Sequence, residues 1–347
     1  MVPGGSSAIW SPAERQAYAS RSAGYRALGS IDLVERLDGE GRGLRLLQFR
    51  TFGGLSGEIA VDRCFDILAL RYRDRNIGWH GPTQSRPAPD LFEDFSLGLL
   101  RSFDGFLVTC GLDHYGVPAA VSANHFIYPN RPRIDYPLHG RASAIPAQLE
   151  SYGMNVDADE PFLWGEAIVR QAAVFGEVLE LRRRIEIPLL GSQVRLNDIV
   201  TNRGARPSRH GVLYHVNIGY PLLDADTVLE GVDSAFSQEF SSTPPQASAD
   251  TVERFDPVNP LAEADSDAAV TLNNRSAGMR FQLGFDRTTL PEFGVWRAYQ
   301  AGIFALGLEP SSGLGGPGER YQPGHRDFLE PGQSRHYRLE FTAAPAD

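Results

Sequence analysis

Glycine and proline punctuate this chain from end to end, 36 and 24 of them in 347 residues, and the stretches between are short and rich in β-branched and aromatic side chains. A helix needs longer uninterrupted runs with a 3.6-residue period, so the punctuation confines the fold to mainly β structure. Strands are predicted over 44–52, 106–109, 179–187, 194–201, 211–218, 269–272, 279–285, 304–308 and 336–342. Arg195-Leu196-Asn197-Asp198-Ile199-Val200 and Tyr337-Arg338-Leu339-Glu340-Phe341 alternate in character, as half-buried antiparallel strands do. Helical signals are few. Ser11 followed by Pro12 predicts a short helix to about Arg21, and 89–100 has room for a second. Neither belongs to a strand-helix alternation, which disfavours a Rossmann fold. The expectation is an all-β chain of antiparallel strands with one or two short peripheral helices. Residues 1–30 read as an N-terminal extension carrying the first helix, and 31–347 as a single domain. The stretches 236–267 and 310–324 read as loops, the second as the rim of a site.

The chain contains no lysine, so all 33 cationic side chains are arginine. Schiff-base chemistry, pyridoxal enzymes and Walker-type phosphate loops are thereby excluded. A net charge of −10 opposes nucleic-acid binding, which needs a basic face. No apolar run is long enough to span a bilayer, and the first residues lack the features of a signal peptide. The expectation is a cytoplasmic protein, monomer or homodimer, with no membrane or nucleic-acid partner. Cys64 and Cys110 read as buried small hydrophobes rather than a disulfide or zinc framework.

Polar residues set in apolar or glycine-rich sequence mark the candidate chemistry. His139-Gly140-Arg141 places an imidazole and a guanidinium at a turn that a ligand could approach over glycine, or simply a turn histidine bonded to backbone. In Leu213-Tyr214-His215-Val216-Asn217-Ile218, His215 and Asn217 share one strand face, as a concave solvated surface or as the wet side of an edge strand. The uncharged stretch 302–308 ends in Glu309; a carboxyl at the end of a buried strand has a raised pKa and suits general base catalysis, although pairing to an arginine would suit the same position. Arg63 and Asp66 are candidates for sugar hydroxyls, Trp79 for stacking on a sugar face, and Asp113 for the lining of a pocket. A metal site from Asp113, His114, His125 and His139 is the weaker alternative, since no metal-ligand spacing supports it.

Six stretches in this order resemble the aldose 1-epimerase (galactose mutarotase) superfamily, in an aldose-1-epimerase-like branch of it: 107–113, Leu138-His139-Gly140-Arg141, 164–177, 198–202, 213–223 and Gly307-Leu308-Glu309-Pro310. The resemblance implies a large antiparallel β-sandwich, the galactose mutarotase-like supersandwich, that binds a small-molecule carbohydrate and uses no cofactor and no metal. It implies Glu309 as general base on the anomeric hydroxyl, His215 as general acid on the ring oxygen, and His139 as a second histidine bonded to the sugar. His215 here has Asn217 only two residues on, and His139 is followed by Gly140-Arg141 where the family usually has two glycines. Arg141 is therefore placed to read a carboxylate, sulfonate, phosphate or keto oxygen. The leading expectation is a sugar epimerase acting at the anomeric carbon. The same pair would also serve proton abstraction beside a keto group, in an epimerase, isomerase or lyase, and a carbohydrate-binding protein without turnover would present the same face.

Overall fold

The computed structural model describes residues 11–22, 24–122, 132–244, 252–264, 267–314 and 324–346. Its strands pair antiparallel throughout. A nine-stranded sheet runs in the order 227–230, 267–274, 279–286, 334–344, 193–202, 178–188, 162–172, 148–155, with a short 262–264 strand beside the second. Facing it is a five-stranded sheet ordered Val252–Pro257, Glu292–Gln300, Ile303–Ser311, Leu213–Ile218, Leu107–Cys110. A second five-stranded sheet is built from 29–76.

Alternation along the strands divides each sheet into a core face and an outer face. Tyr214, Val216 and Ile218 join Val295, Leu306 and Leu308 behind the Leu213–Ile218 sheet, and pack in one cluster with Leu181, Leu196, Phe281, Leu339 and Phe341 of the nine-stranded sheet. The other face of the same strands, with Leu213, His215, Asn217, Glu309 and Trp296, is left for the site.

One polar network crosses this core. Arg183, with no exposed surface, donates from Nε and Nη2 to both oxygens of Asp198 (2.8 and 2.7 Å) and from Nη1 to Asp66. Asp66 in turn accepts the backbone N–H of Thr109 (2.8 Å), and the Tyr214 hydroxyl donates to Asp198 (2.7 Å). All three large sheets are joined through these side chains, and each buried charge has a partner, as burial requires.

The helix predicted near the N-terminus is present as Pro12–Ala19, capped by Ser11 and Glu14 in a reciprocal pair. The 89–100 segment differs from expectation. Asp94 and Phe95 have φ of 49° and 58°, so Glu93–Ser96 is a left-handed turn, followed by a 3-10 turn over Gly98–Arg101. The stretch 236–267 is not simply loop, for it carries the end of the helix Ser234–Glu239 and the strand Val252–Pro257. Cys64 and Cys110 are buried and free. No helix among the described residues is long and apolar enough to cross a membrane.

Candidate active site

Glu309 lies inside its strand, not at the end, because the strand continues through Pro310 to Ser311. The register pairs Leu213 with Ser311 and Val216 with Leu308, which sets Tyr214 and His215 against Pro310 and Glu309. Proline has no N–H to give to the ladder, and the ladder is interrupted there. His215 Nε2 stands 3.1 Å from Glu309 Oε1, with both side chains almost wholly buried. Gly307 makes the approach possible: a Cβ at that position would lie 2.8 Å from His215 Cε1 and 2.9 Å from Glu309 Oε1.

The third group comes from a loop. His139 adopts φ of 58° and Gly140 φ of 75°, and a Cβ on Gly140 would sit 2.2 Å from the His114 carbonyl and 2.5 Å from that of Gly111. The loop is fastened by the N–H of Gly111 to His139 O (3.0 Å) and that of His139 to Gly116 O (2.8 Å). In consequence the His139 and His215 rings meet edge to face at 5.6 Å between centroids. Phe103 and Trp296 enclose the same imidazole of His215 at 5.1 and 5.3 Å.

Glu309, His215 and His139 line one cavity of about 910 Å³, whose floor is the outer face of the five-stranded sheet. That volume is at the upper end for small-molecule sites. Burial pushes the Glu309 carboxyl up to about 8. Burial, and next to it the neighbouring His139, push His215 well below its usual value, while burial and His114 push His139 down to about 4. Each partner of the close pair thus favours its uncharged form, and between them they hold one proton on the Oε1 to Nε2 line rather than standing as a fixed ion pair. Nδ1 of His139 has no hydrogen-bond partner, while the Asn217 side chain beside His215 acts against the downward shift of that imidazole.

The other six predicted contacts do not line this cavity. Arg63 is buried, its Nε donating to Ser143 O (2.6 Å) and its Nη1 to the carbonyls of Arg86 and Ser102. Asp66 is committed to Arg183 and Thr109. Trp79 is buried behind Phe103, 5.8 Å between rings, and supports it from below. Asp113 is buried with Arg141 Nη1 at 3.6 Å. Arg141 is turned away from His139, donating to Asp135 O (3.1 Å) with its guanidinium over the Tyr136 and Phe92 rings, so it reads no group in the cavity. Asn217 shares the sheet face of His215 but is fully buried, its amide donating to the carbonyls of Gly105 (3.0 Å) and His215 (3.3 Å). Of the alternative metal set, His114 is stacked on Tyr136 with Nε2 2.9 Å from Val117 O, and His125 lies outside the described residues.

Sequence reasoning missed Phe103, Trp296, Tyr115 and Ser311, which also line the cavity. Trp296 and Ser311 carry a usable signal, since each is an even step along its strand from Gly294 or Glu309 and so shares that face. Phe103 and Tyr115 lie outside strands and carry none.

The chain matches the family described as a domain of unknown function, DUF4432, over residues 41–343. No curated protein matches it significantly in sequence. Among solved structures it is similar to a candidate aldose 1-epimerase from Klebsiella pneumoniae, at a TM-score of 0.78 and 20% identity, covering 92% of this chain and 84% of that one. It is also similar to a galactose mutarotase-like protein from Clostridium acetobutylicum (TM-score 0.59, 13% identity, 91% and 98% covered). A galactose 1-epimerase from Lactobacillus acidophilus gives 0.56 and 12%, with 92% and 99% covered. The fold is the galactose mutarotase-like β-sandwich.

Proposed function

The chain belongs to the DUF4432 family, and from its mutarotase-like fold and the cavity in its five-stranded sheet we propose that it is a sugar epimerase of aldose 1-epimerase type. One observation carries the reading: a buried carboxyl and imidazole 3.1 Å apart, with a second imidazole alongside, at the floor of a cavity large enough for a sugar.

The pair brings one proton to the reaction. When that proton shifts from Glu309 to His215 Nε2, the carboxylate takes the proton of the anomeric hydroxyl and the imidazolium gives its own to the ring oxygen. The C1–O5 bond breaks, C1 becomes a carbonyl, and rotation about C1–C2 presents its other face. Closure returns both protons and yields the other anomer. His139, neutral at ordinary pH, bonds a sugar hydroxyl; Phe103 and Trp296 exclude water and offer apolar faces to the ring. No redox change occurs, and the protons exchanged balance within the pair and its substrate.

Exchange between anomers, followed by NMR over a panel of aldoses, tests the reading. Acceleration that disappears in Glu309→Gln and His215→Gln supports it. Saturable sugar binding without exchange, or solvent deuterium entering a keto-sugar in place of anomer exchange, overturns it.

A further inference from the structure

The acid–base groups lie on the cavity floor, and the walls above them are mostly apolar, with Glu253, Asn259 and Glu292 interspersed. On one side stand Leu97, Leu100 and Val117, and on the other Phe255, Pro257 and Val258. The second of these walls begins at the acid–base pair itself, because Pro257 pairs with Gly294 and Gly294 with Glu309 across three adjacent strands. Gly294 is also where Phe255 lies down on the sheet: a Cβ there would be 2.2 Å from two carbons of its ring. Leu97, Leu100, Val117 and Phe255 remain 36, 54, 75 and 52% exposed, an apolar collar around a cavity mouth.

We propose that the substrate is an uncharged aldose bearing an apolar substituent away from its anomeric carbon, with the sugar ring on the Glu309–His215 floor and the substituent between these two walls. Three observations carry this. Leu97, Leu100, Val117 and Phe255 are left partly in water, and an aromatic or alkyl group laid against them removes that apolar surface from solvent, which a hydroxyl does not. The cavity, at about 910 Å³, leaves ample room beyond one pyranose ring. The carboxyls lining it, among those described, are Glu253, Glu292 and the protonated Glu309, with no arginine, so a phosphate, sulfonate or carboxylate meets two like charges and no guanidinium. The collar surrounds a deep cavity floored by the reactive pair, which fits a ligand's extension better than the flat contact a second copy would need.

The inference rests on the acid–base reading only for the orientation of the ligand, and the test separates the two. Glucose and galactose, their 6-O-benzyl ethers and their 6-phosphates are titrated into the full chain by calorimetry, and anomer exchange of each is followed by NMR. The ethers are expected to bind at least about tenfold more tightly than the parent sugars, and the 6-phosphates more weakly than either. The exposed positions Phe255→Ser and Leu100→Ser are expected to remove the ethers' advantage. Equal binding of ethers and parents, preferred binding of a 6-phosphate, or a dimer in sedimentation that Phe255→Ser dissociates would each overturn the proposal. Selective binding of the ethers without exchange of any sugar supports the substrate class and defeats the epimerase reading; exchange without selectivity does the reverse.

Discussion

Glycine at position 307 decides whether a carboxyl and an imidazole can share a proton here. Its absent side chain leaves the space in which His215 and Glu309 approach to 3.1 Å. Gly307→Ala is therefore expected to push the two apart and lower kcat for anomer exchange by about 10²-fold, the scale of misplacing reacting groups by roughly 1 Å. Exchange at the wild-type rate would show that the contact is not needed. The pair also sets a pH dependence. It keeps its single proton until Glu309 ionises, at about 8, and His215 is pushed low enough to take no second one near neutrality. kcat/KM should then be level across neutral pH and fall above about 8, since the doubly deprotonated pair has no acid to offer. A profile that rises through pH 8 would assign the working state to the ionised carboxylate alone.

At the scale of elements, strands and turns contribute unequally to the site. Two neighbouring strands present Glu309 and His215, and Pro310 opens the ladder between them without ending the strand. Strand positions were legible because alternation and glycine punctuation are local: Arg45–Thr51, Val178–Pro188, Gln193–Asn202, Met279–Asp286 and Ser334–Ala344 lie within a few residues of the predicted runs. Phe162–Ala172 and Glu292–Gln300 escaped, for their charged or glycine residues mask the alternation. The loop holding His139 depends on a glycine at 140, so Gly140→Ala should displace that imidazole and weaken sugar binding in calorimetry while Glu309 and His215 stay in place. Asp66 gives a sharper contrast between binding and architecture. It completes the Arg183 network linking the three sheets, and Asp66→Ala should cost about 3–5 kcal/mol of stability by leaving a buried charge short of a partner. A melting temperature equal to wild type, with only sugar affinity reduced, would return Asp66 to the list of ligand contacts.

For the molecule as a whole, the site is a source of instability at alkaline pH. Folded Glu309 keeps its proton to about 8, whereas in the unfolded chain it would lose it at the ordinary carboxyl value of about 4.3. Between those values the native state binds more protons than the unfolded state, so this group's contribution to stability declines as pH rises through that window. Glu309→Gln keeps the neutral shape and has no proton to lose. Its melting temperature should match wild type at pH 4, below the unfolded carboxyl's value, and exceed it at pH 9; equal melting at both would mean that the carboxyl is not held neutral. The native state's extra proton follows from burying the acid–base pair at the floor of the cavity.

The sequence by itself determined that this chain is built of antiparallel strands, and it singled out Glu309, His215 and His139 as candidates, because β punctuation, strand alternation and an uncharged run before Glu309 are written in neighbouring residues. Only the tertiary structure decided which polar residues face the cavity. Arg63, Asp66 and Arg141 look as available for a ligand as His139 does until the fold brings backbone carbonyls to Arg63, the Arg183 guanidinium to Asp66 and the Asp113 carboxylate to Arg141. The apolar collar is likewise assembled from segments far apart in sequence, and no window of the chain contains it. Burial and partner choice are properties of the packed molecule, so they separate a buried structural arginine from a ligand-binding one where local sequence cannot.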